Sequence, residues 1–177
     1  MDSLTPKRDP ESRARSRLIL IGFLAAFVAV VGTTLWIVPR KIEEERARVT
    51  VATGKILFTA IEAAGADRTP GGIGYPAESG AKTTHDYLTA LQDKGLVSIK
   101  DYPLLFGLVI ANTSESDPRD TVLFISRAGY ARYGEGETRK KLSPTYFVYR
   151  LDGSVETLPI DTAPKGLPQR TPVFLAP

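Results

Sequence analysis

Residues 18–38 read LILIGFLAAFVAVVGTTLWIV, twenty-one consecutive positions without an ionisable side chain. At about 1.5 Å of rise per residue, a helix of this length spans roughly 30 Å, the thickness of the hydrocarbon layer of a bilayer. A single segment in that layer must be helical, because only a helix pairs all of its own backbone amides. Trp36 lies near the distal end, where an indole ring prefers the headgroup region. The sequence therefore predicts a transmembrane helix over residues 18–38.

The competing interpretation of this run is a cleaved signal peptide. A signal core usually holds about 7–15 apolar residues and precedes a small-x-small cleavage site. The run in this chain is longer, and the residues that end it, Trp36 to Pro39, offer no such site. The sequence therefore favours a retained anchor.

Charges on both sides of the span bear on its orientation. Residues 1–17 carry five basic and three acidic side chains, and basic residues also follow the span at positions 40, 41, 46 and 48. The positive-inside rule therefore discriminates weakly. The short tail and the acidic residues 43–45 favour a cytoplasmic N-terminus. Because residues 1–17 contain Pro6, Pro10 and scattered charges with nothing to bury, we predict a disordered tail there.

Beyond Pro39 the sequence keeps a helical periodicity. Apolar residues recur at intervals of three, four or seven, and Leu57 and Ile61 widen the stripe that they form. Since proline can kink a helix without ending it, we predict one long helix from about residue 18 to residue 64, with Gly65 as its cap. Two helices hinged at Pro39 are the alternative. The stripe that we expect to pack on a sheet comprises Ile42, Val49, Ala52, Ile56, Ala60 and Ala63.

A second, shorter helix follows a loop rich in glycine and proline over residues 67–81. Thr83 and Asp86 form a capping-box pattern at the start of this helix, and Gly95 is suited to end it. The residues predicted to form its buried face are Tyr87, Leu88 and Leu91.

Apolar runs of strand length occur at residues 105–110, 121–126, 146–151 and 155–160. Asp152-Gly153 joins the last two runs as a hairpin and favours a type I′ turn. We predict a polar excursion suited to recognition over residues 129–142. We also predict an extended, proline-rich tail over residues 161–177 that wraps the surface. The expected fold class is α+β, with a domain over residues 39–160 in which the long helix packs on a small antiparallel sheet of about four strands.

Composition limits the chemistry that this chain can perform. The formal net charge is +3, of which residues 1–17 supply +2, so the body is nearly neutral and we expect no nucleic-acid partner. Cysteine is absent, which excludes disulfides and thiolate sites. The single histidine, His85, has Asp86 next to it in sequence, but adjacent side chains on a helix point apart.

Three further patterns carry weak chemical signals. Asn112, Asp117 and Asp120 could hold calcium, although their spacing is irregular and turn-forming residues explain the cluster as well. Residues 134–137 lack the lysine and hydroxyl group of a phosphate-binding loop, and the basic residues 139–141 are typical of a solvated face. No histidine partner is evident for Ser114, Ser116 or Ser126. We therefore expect no catalytic residue, no cofactor and no enzyme; calcium stays open.

The assembled pattern resembles the type IV pilin and type II secretion pseudopilin family. The likeness lies in Pro39 at the end of the apolar run, in the charged stretch 43–48, and in the Gly74-Tyr75-Pro76 turn after the helix. Residues 79–97 are similar to the second helical segment of pseudopilin-like proteins, and residues 117–121 are similar to the turn before one of their strands. The resemblance covers roughly residues 18–160. It implies a pilin-like fold, a bacterial inner membrane location with the C-terminal domain in the periplasm, and a structural role.

The sequence departs from this family at the processing site. Prepilin peptidase substrates have a glycine before the apolar run, then phenylalanine or methionine, and a glutamate at the fifth mature position. Arg17, Leu18 and Gly22 occupy these positions here. We therefore predict no processing and no intersubunit pairing through that glutamate, as in an atypical accessory pseudopilin or a relative outside the filament.

Two functions from different classes fit the sequence. The first is a non-enzymatic structural or assembly component of a type II secretion or type IV pilus-related envelope system. It would contact membrane lipid and other pilin-like or secretion-system subunits through its N-terminal helix, as a homo- or hetero-oligomer. The second is a membrane-tethered ligand-binding or sensor domain with an aromatic-lined cavity between residues 75–81 and 129–142. The helix-packing face predicted for the first function is Gly22, Ala25, Ala26, Ala29 and Gly32.

Overall fold

Helix α1 is the first element of the computed structural model, which describes residues 10–98, 107–132 and 142–177. It covers Pro10–Ala66, fifty-seven residues, with Pro39 in its interior. One helix therefore replaces the alternative of two helices hinged at Pro39. The chain forms two compact units, Met1–Lys41 and Ile42–Pro177.

The start of α1 corrects the prediction of a disordered tail over residues 1–17. Residues 10–17 are helical, and residues 1–9 lie outside the described part of the chain. Proline suits the first helical position because the amide at that position has no intrahelical acceptor. Extension of a helix that already exists adds one hydrogen bond for each residue fixed, so the polar residues next to the apolar run join it at low cost.

The end of α1 corrects the prediction that Gly65 is its cap. Gly65 lies inside the helix, and the ring of Tyr75 packs directly against it: a Cβ atom at Gly65 would lie 2.2 Å from Cε2 of Tyr75. The carbonyl oxygen of Ala64 accepts hydrogen bonds from the amides of Asp67 (3.3 Å) and Gly74 (3.2 Å). Gly65 is thus required for a close contact rather than for a left-handed backbone.

Helix α2, Thr84–Asp93, confirms the predicted signals at both of its ends. The Thr83 side chain accepts a hydrogen bond from the Asp86 amide at 2.9 Å, and the Asp86 carboxylate accepts one from the Thr83 amide at 3.2 Å. Gly95 adopts φ +71° after the last turn, and the amide of Leu96 returns to the carbonyl of Leu91. The predicted buried residues Tyr87, Leu88 and Leu91 are all buried.

Four strands form an antiparallel sheet in the order β1-β2-β3-β4. Their bounds are Val109–Ile110 for β1, Val122–Arg132 for β2, Leu142–Arg150 for β3 and Val155–Pro159 for β4. The α+β class and the four-stranded antiparallel sheet are therefore confirmed. Strand β1 is shorter than the predicted strand 105–110, of which residues 105 and 106 lie outside the described residues.

The hairpin of β2 and β3 corrects the predicted excursion over residues 129–142. Both strands continue into that segment, where Gly129 pairs with Thr145 and Arg132 pairs with Leu142. Strand pairing satisfies backbone amides that an irregular loop would leave to water, so a hairpin extends wherever its two arms stay in register. Residues 133–141 lie outside the described part of the chain.

The two faces of the sheet bury different clusters. On one face Phe124, Phe147, Tyr149 and Leu151 meet Leu57 and Ile61 of α1 together with the buried residues of α2. The rings of Phe124 and Tyr149 stack there with centroids 4.2 Å apart. A smaller cluster of Ala111, Val122, Tyr146 and Val148 lies on the other face. Val122 and Phe124 are two positions apart and would share a face in a regular strand, but a register shift between them places them on opposite faces.

The buried face of α1 differs from the predicted stripe. Leu57, Ala60, Ile61 and Ala64 are buried, together with two threonines and two glycines. Most of the predicted stripe is exposed instead, since Ile42 is 53%, Val49 42% and Ile56 52% exposed, and Ala52 and Ala63 are exposed as well. The prediction is therefore confirmed for Ala60 and for Leu57 and Ile61, which widen the stripe, and is wrong for the other five residues. The additional buried residues are Thr50, Thr53, Gly54 and Gly65.

The turn between β3 and β4 confirms the hairpin but corrects its type. Gly153 has φ +79°, whereas no described residue other than glycine has a positive φ, so Asp152 does not adopt the conformation that a type I′ turn requires. The Gly153 amide donates to the Arg150 carbonyl at 3.0 Å, and the Asp152 carboxylate accepts from the Ser154 amide at 2.9 Å. The loop has three residues with glycine at the left-handed position.

Residues 161–177 enter the fold more deeply than a surface wrap. The amide of Leu175 donates to the carbonyl of Ile110 at 2.9 Å, and the amide of Asn112 donates to the carbonyl of Val173 at 2.9 Å. Phe174 pairs with Ala111 across this edge of β1. The Leu175 side chain is 4% exposed and belongs to the main core. The tail therefore covers the edge of β1 that β2 leaves open.

Candidate functional site

The apolar half of α1 is the most distinctive surface of the described residues. One helix in the described residues is long and apolar enough to cross a membrane, and its apolar segment begins at Ile19. The large side chains of this segment are exposed, among them Phe23 at 74%, Leu35 at 71% and Trp36 at 60%. So many exposed apolar side chains on one helix are stable in lipid and unfavourable in water.

The predicted helix-packing face lies within this segment. A Cβ atom at Gly22 or at Gly32 would meet nothing within 4 Å, so no other part of the described chain occupies the space beside these two glycines. Ala25, Ala26 and Ala29 between them are exposed. The face is therefore accessible to lipid or to another helix, and its use for packing stays a prediction.

The hydroxyl-bearing residues of the same segment are satisfied locally. Thr33 donates to the carbonyl oxygen of Ala29 at 2.6 Å, and Thr34 donates to that of Val30 at 2.7 Å. Such back-bonding removes the cost of placing a hydroxyl group in hydrocarbon.

The Asp117 cluster, considered above as a calcium site, is an ion-pair network. Arg170 donates from one guanidinium nitrogen to the Asp117 carboxylate and from another to the Ser114 hydroxyl at 2.8 Å. The Asp117 carboxylate also accepts from the Ser114 amide at 2.9 Å. Asn112 donates its side-chain amide to the carbonyl of Pro172 at 3.0 Å. The partners of Asp117 are thus a cation and an amide, and no group of three potential ligands occurs within the described residues.

The remaining candidate residues are not brought together. His85 is exposed at the start of α2, and the neighbouring Asp86 carboxylate is engaged by the helix cap. Ser114 and Ser116 lie 2.8 Å apart through their hydroxyl oxygens, while Ser126 is buried within β2. These side chains therefore form no arrangement for nucleophilic catalysis in the described part of the chain. The loops at 134–137 and 139–141 lie outside it.

The pocket expected for a ligand-binding domain was placed between residues 75–81 and 129–142. The Tyr75 ring is buried against Gly65, and the Tyr87 hydroxyl donates to the carbonyl of Gly74 at 2.9 Å. The start of the first segment is therefore packed against the domain, and the Tyr75 ring does not line an open cavity. Part of the second lies outside the described residues. An open cleft of about 490 Å³ lies elsewhere, on the sheet face opposite α1, and residues that line it include Val109, Ile125 and Tyr146.

Tyr149 connects the second half of α1, after Pro39, to the sheet. Its hydroxyl donates to the carbonyl oxygen of Thr50 at 3.2 Å. Its ring fills the notch at Gly54, where a Cβ atom would lie 2.1 Å from both Cζ and the hydroxyl oxygen of the tyrosine. Burial raises the pKa of Tyr149 to about 12. This contact adds to the packing of Leu57 and Ile61 against the same sheet.

Alkaline pH is expected to weaken the domain. Burial raises the pKa of Tyr87 as well as that of Tyr149, so both phenols stay protonated when folded at a pH where unfolded tyrosine, with a pKa of about 10, ionises. Their stabilising contribution is complete below pH 10 and is lost as the pH rises towards 12, at roughly 1.4 kcal/mol per pH unit for each tyrosine. Urea unfolding at pH 9 and pH 11 measures this loss. The variant Tyr149→Phe should lose less stability across the same interval; an equal loss would contradict the assignment.

Comparison of the chain with protein families, with curated proteins and with solved structures finds no match.

The sequence reasoning missed one surface, the exposed apolar residues on the second half of α1, after Pro39. Ile42, Val49, Ile56 and Ala63 are exposed and follow one another at seven-residue intervals. The seven-residue interval is visible in the sequence, but the predicted stripe combined it with the three- and four-residue spacings of the buried face and treated both as one surface. A strict spacing of seven is the signal that separates the two.

Proposed function

We propose that this chain is a non-enzymatic, membrane-anchored structural or assembly component of a type II secretion or type IV pilus-related envelope system, similar to an atypical pseudopilin. The observation that carries the proposal is a single helix, Pro10–Ala66, whose first part is apolar and exposed and whose last part packs on a four-stranded antiparallel sheet. This combination suits a protein that holds a small domain at a membrane and contacts neighbours through its helix.

The junction at Tyr149 supports a mechanical role. A glycine notch and a buried hydrogen bond join the helix to Tyr149, whose ring stacks on Phe124 within the sheet. A displacement of this part of the helix would therefore move the sheet with it. In the proposed role the apolar segment crosses the bacterial inner membrane. The N-terminus lies in the cytoplasm, and the domain lies in the periplasm.

Cysteine cross-linking in membranes tests the lateral contact that the proposal requires. The natural chain has no cysteine, so each variant carries a single thiol. We expect Ala25→Cys and Ala29→Cys, on the small-residue face, to couple to a neighbouring subunit several-fold faster than Phe27→Cys, which lies on the opposite side of the helix. Equal coupling at the three positions would show that the face contacts lipid only.

The mature N-terminus and the fractionation of the chain test the anchor itself. We expect the full chain to stay with membranes after alkaline washing and to need detergent for release, with an N-terminus upstream of Arg17. Recovery of a soluble product that begins just after Val38 would overturn the proposed function.

A further inference from the structure

The seven-residue row Ile42, Val49, Ile56 and Ala63, which we name the outer stripe, is covered by nothing in the described structure. Its three large side chains are 53%, 42% and 52% exposed in sequence order. Successive residues of an α-helix are rotated by about 100° around its axis. The outer stripe therefore lies roughly a quarter turn around the helix from the buried face centred on Leu57 and Ile61. The sheet therefore covers one side of α1 and leaves this second apolar row beside it.

A spacing of seven points to a helical partner. An α-helix has 3.6 residues per turn, so residues seven apart drift by about 20° per heptad around a straight helix. A row with this spacing stays at a single interface only when a second helix coils around the first. A second row, three positions after each stripe residue, includes Ala52, Thr59 and Ala66, which are small and exposed. Small residues in this row permit close approach of two helix backbones.

We propose that the outer stripe is the seam of a parallel, in-register pair formed with a second copy of this chain. The proposal rests on the membrane anchoring in the proposed function, since identical anchors hold all copies in one direction and at one depth. Each stripe residue then meets its own counterpart. Ile42, Val49 and Ile56 are β-branched, as are the residues that parallel two-helix coiled coils carry at one of their two core positions; the other position, usually leucine, is alanine or threonine here.

The charges near the seam determine which part of it is strongest. Glu45 lies in the same row as Ala52, so two copies of Glu45 face each other at the membrane-proximal end. Each is paired at 3.0 Å with Arg48 on its own helix, which reduces the repulsion without removing it. Contact is therefore strongest from Val49 to Ala63.

The small size of the stripe makes the pairing dependent on the membrane. A few partly exposed side chains provide much less than the roughly 1,200–2,000 Å² buried in stable soluble complexes. Confinement of the copies to one bilayer raises their effective concentration and supplies the missing affinity. The pair should accordingly form in membranes and separate on dilution in detergent.

Disulfide cross-linking of the full chain in membranes tests the seam. We expect Val49→Cys and Ile56→Cys each to form a disulfide-linked dimer roughly five-fold or more faster than Lys55→Cys, because only seam positions bring Cβ atoms to within disulfide distance. Lys55 is a matched control, being exposed and adjacent to Ile56. A membrane containing Val49→Cys and Ile56→Cys chains together should give mainly the two homodimers.

Two results would overturn the pairing. If the stripe variants form dimers only at the rate of Lys55→Cys, the stripe is not a seam. If the mixed dimer forms faster than the two homodimers, the helices pair in a staggered register and not in register. Ile56→Asp should suppress the Val49→Cys dimer without lowering the thermal unfolding temperature, since the side chain is exposed. A chain recovered outside the membrane fraction would overturn the proposed anchoring, whereas a membrane-bound chain that dimerises at the control rate overturns the seam alone.

Discussion

Replacement of Gly54 by alanine is expected to lower the free energy of unfolding of the domain by about 2–3 kcal/mol, although alanine is the better helix former by about 1 kcal/mol. The added methyl group would lie 2.1 Å from two atoms of Tyr149, far inside van der Waals contact. The tyrosine ring is 1% exposed and stacks on Phe124, so it has no free space into which it can turn. The helix must therefore move away from the sheet, or the ring must leave the core.

Urea unfolding of the detergent-solubilised full chain, followed by tyrosine near-UV circular dichroism, measures this effect. A double-mutant cycle with Tyr149→Leu separates the steric clash from other consequences of the substitution. Leucine lacks the distal ring atoms that meet the new methyl group, so Gly54→Ala should cost much less in that background, with a coupling energy of about 1–3 kcal/mol. A neutral or stabilising effect of Gly54→Ala in the natural chain would show that Tyr149 does not occupy the notch.

Leu175→Ala is expected to lower the free energy of unfolding by about 3 kcal/mol, since it removes three buried carbon atoms and leaves a cavity. Leu175 is 4% exposed in the main core, and its backbone amide is bound to the carbonyl of Ile110. Loss of this side chain also weakens the attachment of the segment that covers the open edge of β1. The variant should therefore aggregate more readily when heated.

Leu167→Ala is the matched control for this prediction. It makes the same chemical change in the same C-terminal segment, but at a side chain that is 38% exposed. We expect a loss below about 1 kcal/mol for Leu167→Ala, because an exposed side chain leaves no cavity. Thermal unfolding of the two variants side by side makes the comparison. Equal losses would mean that residues 161–177 lie on the surface, as the sequence alone predicted.

Several elements could be predicted because their signals are local. The capping box of Thr83 and Asp86 and the left-handed Gly95 each act within a few residues. The Asp152-Gly153 dipeptide predicted a hairpin, but the type I′ assignment failed because only the glycine has a positive φ. A dipeptide specifies that the chain turns, whereas the register of the flanking strands determines which turn closes it.

The candidate functional surfaces were only partly predictable. The apolar run at 18–38 follows from composition, and in the structure it is an exposed segment of helix α1. The calcium hypothesis depended on side chains that are near in sequence, and it could not anticipate Arg170, which lies fifty-three residues from Asp117 and binds it. The outer stripe was assigned to the core because periodicity shows that a helix face is apolar without showing what covers it.

By itself the sequence determined the presence of a long helix with an apolar first half, the position of α2 and the hairpin of β3 and β4, because each depends on residues close together in the chain. The tertiary structure decided which face of α1 is buried, the length of β2 and β3, and the place of residues 161–177. These features depend on contacts such as that of Thr50 with Tyr149, ninety-nine residues apart, and of Ile110 with Leu175. Helix α1 carries two apolar rows, and only the sheet that forms later in the chain determines which of them it covers.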